Sequence, residues 1–548
     1  MEWDKNRKRK AERLASVSKF LNGKVIKTSD IVEVLNRVIK PKDNLIIEGD
    51  NQKQASFLAK AMTQVDPKSV NDIRLVIPSL SRDEHLDLFD KGIASVVNFA
   101  YAAPVQVRLA EMVTSGKCKV GAVHTYFELY ARLFVDLIPN VCLVAAECAD
   151  KDGNLYTGAN TEETPVLVEA TAFKDGIVIA QVNKIVDKVP RVDIPGDWVD
   201  GIVEADEPFP MEPLFTREPE KIKDHHILEA MMIIKGIYER HNVISLNHGI
   251  GYNGGAIELI LPTYGEELGL KGKICKNWVL NPHPTLIPAI EAGWVESVCA
   301  FGGETGMSRY TAARPDIFFT GRDGMMRSNR PLAQLAGLYA MDLFLGATLQ
   351  LDYFGNSSTV TGARIPGFGG APNMGHDSGG RRHATPAWQA MADPNRPLRG
   401  GRKLVVQIIS TSFKNKAGEV KPCIVPELEA IKIGKATGMP VPPIMIYGED
   451  VTHVVTEQGI AYLYTAHTNE ERRELIAAVS RGIPVEEFCS EARKQQLIAE
   501  GKIATPDSLG IDKSKANKDL LAAKSLQEIR EISGGLYDIP ERFLAPKV

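Results

Sequence analysis

Strand-length apolar runs alternate with helix-period stretches in this chain, and the pattern occurs twice. NLIIEGD (Asn44 to Asp50) closes on a Gly-Asp turn ahead of QKQASFLAKAMTQV, which has helical periodicity. IRLVIPS, ASVVNFA, VCLVAAE and IVIAQV supply further strands. Such alternation demands crossover connections, and so a mainly parallel sheet covered by helices on both faces. PFPMEPLFTREPE, at 208–220, is proline-rich and charged and reads as an inter-domain linker. Beyond it NVISLNHGIGYNGGAIELILPTYG (Asn242 to Gly265) repeats the order strand, glycine turn, helix. SVVNF (Ser95 to Phe99) and SVCAF (Ser297 to Phe301) recur at similar distances from those strands. The expectation is two related α/β domains, 1–220 and 221–548. The second ends in a helical, charged extension from about Pro484 that packs outside it.

Composition narrows the class. A chain of 548 residues exceeds the roughly 250–300 at which a single core stops growing. Hydrophobic residues at 44% and charged residues at 24% fit a globular protein and exclude a disordered or fibrous one. Lys+Arg 65 against Asp+Glu 69 leaves a net charge of -4, which gives no whole-chain attraction to nucleic acid or anionic membrane. No apolar run of about 18 residues appears, so no membrane span is expected. The opening MEWDKNRKRKAERLA lacks the apolar core of a secretory signal. Cys118, Cys142, Cys148, Cys275, Cys299, Cys423 and Cys489 form no C-x-x-C pair, so they read as free thiols of a cytoplasmic protein with no metal site.

Three segments carry candidate chemistry. Gly249-Ile-Gly251-Tyr-Asn-Gly254 fits G-x-G-x-x-G between a strand and a helix, the pattern of a dinucleotide site. The acid expected about 20 positions later is absent, since Leu270 to Leu280 holds Lys271, Lys273 and Lys276 but no Asp or Glu. The turn still allows backbone N–H groups to approach a ligand. Gly362 to His383, GARIPGFGGAPNMGHDSGGRRH, is too glycine-rich for a regular element and reads as a functional loop. Adjacent N–H groups of Gly369 and Gly370 suit an oxyanion pocket, and His376 beside Asp377 suits a structural hydrogen bond better than a metal. Third, His453-Val-Val-Thr-Glu-Gln-Gly459 is an apolar run turning into a helix, with Glu457 at a strand end facing the crevice. No nucleophile elbow, H-E-x-x-H or Walker A pattern is present.

GIGYNGG, GFGG and VVTEQGIAYL together resemble the CoA-transferase and acetyl-CoA hydrolase superfamily. GFGGAPNMGHDSGGRR with ECADKDGNLYTGANTEETP (Glu147 to Pro165) narrows the resemblance to the malonate decarboxylase α-subunit family, over almost the whole chain. The resemblance implies two CoA-transferase-like α/β domains. It implies a transferase that exchanges acetate for malonate on the thiol of an acyl carrier protein: acetyl-S-carrier plus malonate gives malonyl-S-carrier plus acetate. The thiol belongs to a phosphoribosyl-dephospho-CoA group on the carrier (δ) subunit, and β and γ subunits perform the decarboxylation. Gly249, Gly251, Asn253, Gly254 and Gly255, with Asn373, Met374 and Gly375, are then candidates for holding that group, with CoA or acetyl-CoA as an analogue. Gly369, Gly370 and Glu457 are catalytic candidates; Arg364, Arg381, Arg382 and His376 are candidates for malonate.

One feature departs from the superfamily. The helix end Ile290-Glu291-Ala292-Gly293 is retained, but the position of the acyl-forming glutamate falls in KNWVLNPHP, near Leu280, with no acid. The expected route is therefore direct attack of malonate on the acetyl thioester through a mixed anhydride. Two further readings are a transferase or hydrolase using free CoA thioesters and a noncatalytic dinucleotide-binding subunit.

Overall fold

The computed structural model describes residues 2–49, 53–159, 161, 163–300, 302–322, 326, 339, 341–376, 385–391, 401–415 and 417–544. Arg381, Arg382 and Asp377 lie outside them.

The chain divides into two units, the first comprising Met1–Pro213, Gly362–Gly370 and Lys432–Pro443, the second Leu214–Thr361, Ala371–Ile431 and Ile444–Val548. Two later segments thus return to the first unit, which a single cut at 220 does not describe. The return of 362–370 is made by hydrogen bonds: Ile365 N–H donates to Gln106 O at 3.0 Å and Ala102 N–H to Pro366 O at 2.7 Å.

In the first unit parallel strands run, in sheet order, Gly201–Glu204, Ile177–Val186, Val141–Asp150, Asn44–Ile47, Ile73–Ser79, Ala94–Tyr101 and Lys119–Val123. A short antiparallel hairpin, Leu21–Asn22 with Val25–Ile26, extends the Gly201 edge. Chain order reverses between Asn44–Ile47 and Val141–Asp150, which makes this a doubly wound sheet with a switch point there. The central strands are buried along most of their length, as parallel strands covered on both faces must be.

The second unit repeats the plan. Its parallel strands run Ser297–Cys299, Asn277–Val279, Ser245–His248, Leu343–Ala347, Leu404–Ile408 and His453–Thr456, reversing between Ser245–His248 and Leu343–Ala347. Ala94–Tyr101 and Ser297–Cys299, which carry the two sequence tags, are each the third strand out from the start of their half.

The boundary between the units, at Pro213 and Leu214, falls inside the segment 208–220 read as a linker, whose Phe215, Thr216 and Arg217 are buried. Two local expectations are corrected. His453–Thr456 does not lead into a helix but hairpins through Glu457 and Gln458 into the antiparallel strand Gly459–Ala461. The C-terminal extension does not pack wholly outside. Ile503–Ala504 joins the sheet edge beside Gly459–Ala461, and Leu526, Ile529 and Tyr537 enter the hydrophobic core of the second unit. Apolar positions on short helices have no other surface to cover them. Among the described residues no helix is long and apolar enough to cross a membrane.

Candidate functional site

The carboxyl edge of a doubly wound sheet, at its switch point, is where α/β folds place ligands. In the second unit that edge collects residues from four elements. Gly249 follows Ser245–His248 and donates its N–H to Leu345 O at 2.7 Å, crossing the switch point. Gly251 opens the helix Tyr252–Ile260, and a β-carbon there would stand 3.8 Å from the Ala347 side chain. Thr411 follows Leu404–Ile408, and Glu457 follows His453–Thr456. Thr411 holds Glu457 with both donors: its N–H reaches Oε2 at 3.1 Å and its hydroxyl binds Oε1.

The helix that packs against the His453–Thr456 hairpin carries a residue that sequence reasoning missed. Glu229, on the helix Asp224–Ile233, is 2% exposed, and its Oε2 accepts a hydrogen bond from Asn253 Nδ2. Burial and then the Glu457 charge push its carboxyl up to about 8, against the opposing Asn253 hydrogen bond. A signal existed in HHILEAMMI, where one acid interrupts an apolar helix, but without tertiary structure nothing gives it a partner.

The other glycines of the turn serve a different purpose from the one expected. A β-carbon at Gly254 would lie 2.8 Å from Arg217 Nη1, and one at Gly255 3.4 Å from the same side chain. Both face the buried arginine of segment 208–220, so the missing β-carbons make room for that side chain. Arg217 donates to Gly251 O at 3.2 Å, Glu258 Oε2 at 2.7 Å and Thr285 Oγ1 at 2.8 Å. His283 Nδ1 lies 2.7 Å from Arg217 Nη2 and 3.0 Å from Glu258 Oε1, with Phe215 stacked on its ring. His248 Nδ1 reaches Glu258 Oε1 at 3.1 Å and its Nε2 meets Tyr238 at 2.7 Å. Burial works to raise the Glu258 carboxyl, but Arg217 and the histidines outweigh it and hold it well below the usual range. Burial brings His283 down to about 4, so the ring is neutral at pH 7 and Arg217 is the cation of the network.

The glycine-rich loop is split. In the first unit Gly367 has φ +73° and pairs with Tyr101, and Phe368 and Gly369 both donate N–H bonds to Ala100 O, at 2.7 and 2.9 Å. The Gly369 N–H is therefore committed to the sheet and is not an oxyanion donor. Gly370 N–H donates to no described backbone acceptor. Arg364 is exposed. In the second unit Gly375 is a packing residue, since a β-carbon there would lie 2.5 Å from Ile446 Cδ1, and Met374 is buried with its carbonyl 3.4 Å from Lys403 Nζ. Asn373 is buried beside it. His376 is exposed and pairs with Asp450 at 3.2 Å, a structural contact.

The first unit has a buried polar group at its own switch point. Glu48 follows Asn44–Ile47, accepts from Ala145 N–H at 2.7 Å, binds Thr164 and lies 3.2 Å from Lys53 Nζ, with Glu48 and Lys53 both buried. Burial raises the Glu48 carboxyl despite Lys53.

Comparison with known proteins agrees with this architecture. The family described as "Malonate decarboxylase, alpha subunit, transporter" matches residues 2–545. The acetyl-S-ACP:malonate ACP transferase of Malonomonas rubra is 51% identical over 550 residues, 99% of each chain. A chain of a crystallised Pseudomonas malonate decarboxylase hetero-tetramer in complex with malonate superposes with TM-score 0.96 at 57% identity, covering 99% of both chains. The citrate lyase alpha subunit of Streptococcus mutans, putatively assigned, shares the fold alone, at TM-score 0.59 and 16% identity over 85% of this chain and 84% of that one. With a family match along nearly its full length and a relative above half identity, the chain belongs to the malonate decarboxylase alpha-subunit family.

Proposed function

We propose that this chain is the transferase subunit that exchanges acetate for malonate on an acyl carrier protein. The observation that carries the reading is 51% identity, end to end, to a transferase named for that reaction. By analogy with the Pseudomonas hetero-tetramer it works in a multi-subunit assembly, with a carrier (δ) subunit and β and γ decarboxylase subunits as partners in the cytoplasm.

The carrier's phosphoribosyl-dephospho-CoA arm supplies the reacting thiol. The second unit offers chemistry that suits such an arm: a cavity of about 640 Å³ lined by Lys221, Lys223, Lys518, His226 and Tyr252, with Glu220 and Asp224 also in its lining. Its lysines match phosphate, and the His226 and Tyr252 rings, parallel within 13°, offer apolar faces to a base. Gly249, Gly251 and Asn253 remain the residues of the turn that line the edge.

A malonate carboxylate attacks the acetyl carbonyl and the thiolate departs; the thiolate then attacks the malonyl carbonyl of the mixed anhydride and acetate leaves. Gly370 N–H is the remaining candidate donor to the tetrahedral oxyanion, a contribution of roughly 3 kcal/mol for one such donor. Arg364, Arg381 and Arg382 are candidates for the second malonate carboxylate. The test follows label from ¹⁸O-malonate incubated with acetyl-S-carrier and this chain. Direct attack delivers ¹⁸O to the released acetate and to no protein carboxyl. Label found in Glu457 would instead establish an acyl-enzyme route.

A further inference from the structure

Three neighbouring parallel strands of the second unit, Ser245–His248, Leu343–Ala347 and Leu404–Ile408, end at one edge of the sheet. The segment after each exposes a large apolar side chain: Ile250 at 42%, Leu349 at 36% and Phe413 at 51%. Those strand ends are tied to one another, since Gly249 N–H donates to Leu345 O at 2.7 Å and Thr348 N–H to Ile408 O at 3.1 Å. Exposed apolar residues scattered singly need no explanation, but three that follow three adjacent strands do. Phe413 belongs to a hairpin, Ser412–Lys414 with Val420–Pro422, that forms a two-stranded sheet of its own. A ribbon of two strands is marginal by itself. Here Cys423 N–H closes its base on Thr411 O at 2.9 Å, and Asn415 Oδ1 accepts from the Ala417 and Glu419 N–H groups at its tip. The chain thus holds in shape an arm that it leaves in solvent. Register sets Phe413 opposite Lys421 and Lys414 opposite Val420, all four exposed, so each face of the arm carries one apolar side chain and one cation.

We propose that this rim and its hairpin are the docking surface for the acyl carrier subunit, which lays an acid-rich face with an apolar contact onto Phe413, Val420, Lys414 and Lys421. The identity of that partner rests on the transfer reaction proposed above; position and charge carry the rest. The hairpin begins immediately after Thr411, whose N–H and hydroxyl hold Glu457 at the same edge. A protein seated on the arm therefore brings a tethered thioester to that edge. The segment SFKNKAGEVKP (412–422) has three lysines against one glutamate, although the whole chain carries a net charge of -4. The positive field is local, and it suits a carrier whose prosthetic arm contains phosphates. It does not suit a second copy of this chain, because a twofold contact through the arm would set the same lysines against one another.

The test measures the affinity of the full chain for the acetyl-S-carrier subunit, together with kcat and KM in transfer assays. Phe413→Asp should weaken carrier binding by about tenfold or more, the loss typical of an anchor removed from an interface. Its KM for the carrier should rise by a similar factor, while kcat at saturating carrier stays as in the parent chain. Phe413→Leu, which keeps an apolar contact, should retain most of the affinity. Added salt should weaken binding by the parent chain. The double variant Lys414→Glu, Lys421→Glu should bind more weakly at low salt and depend less on salt. Because these side chains are exposed, the unfolding midpoint should not move in any variant. Unchanged carrier affinity in both Phe413→Asp and the double lysine variant overturns the proposal. So does a variant that binds the carrier normally but no longer self-associates, which would assign the rim to a second copy. A loss of kcat with KM unchanged also overturns it, by placing the hairpin in the chemistry and not in docking. If the variants lose affinity for the carrier while the parent chain transfers no acyl group, the docking surface stands and the transfer reading fails.

Discussion

Arg217 shows how much one side chain can depend on context. Its guanidinium is the cation that lets Glu258 remain ionised with no solvent contact. Removing one partner of a buried pair leaves an uncompensated charge, so Arg217→Ala should destabilise the second unit by about 3–5 kcal/mol in denaturant unfolding. A double Arg217→Met, Glu258→Leu variant should cost less, because neither charge then remains to be solvated. The pH dependence has a definite sign. Glu258 titrates lower in the folded than in the unfolded chain, so its stabilisation is present above the ordinary carboxylate range and is lost as pH falls through the folded value. Arg217→Ala should remove that part of the acid sensitivity. None of this was readable in PFPMEPLFTREPE, because prolines and charges describe both a tether and a strap that passes over a core. Glu229 was equally hidden, since a carboxyl acquires its partner only from other elements.

At the scale of elements, glycines were easy to see and hard to interpret. GFGG and GIGYNGG are conspicuous as strings, and both do mark backbone passing close to something. Only the structure says what. At Gly254 and Gly255 it is the Arg217 side chain, and at Gly367 it is the Ala100 carbonyl oxygen, with which a β-carbon would collide. Gly367 also has a left-handed backbone, which costs a non-glycine residue roughly 1–2 kcal/mol. Gly367→Ala should therefore release segment 362–370 from the strand Ala94–Tyr101. The expected signs are faster proteolytic cleavage within that segment and loss of transfer activity; unchanged cleavage would mean that the loop tolerates the clash. Strands were more legible than loops, because Ile73–Ser79 and Ala94–Tyr101 are apolar runs that fit nothing but a covered parallel sheet. The hairpin after His453–Thr456 was not, since a strand and a helix start with the same few apolar residues and the choice rests on the neighbour, here Ile503–Ala504.

For the whole molecule, the consequence of the chain's path is that its first half is not self-sufficient. Segments 362–370 and 432–443 belong to the first unit. A fragment ending at 220 leaves Gln106 O, Ala100 O and the Ala102 N–H without the partners that 362–370 supplies. Expressed alone, residues 1–220 should unfold at lower denaturant concentration and with less cooperativity than the first unit does within the full chain. Adding a peptide spanning 362–370 should restore part of the difference, and a fragment as stable as the intact unit would show that the returning segments are dispensable.

Periodicity and punctuation in the sequence determined two α/β halves with parallel sheets, because alternating apolar runs and helices have few other ways to bury themselves. The long strings around GFGG and ECADKDGNLYTGANTEETP determined the family. Tertiary structure alone decided which glycines serve packing, that Arg217 belongs to a core, and that Glu229 is buried against Asn253. Burial and polar pairing depend on residues distant in sequence, such as 217 with 258 and 229 with 253, and chain order does not encode those distances locally.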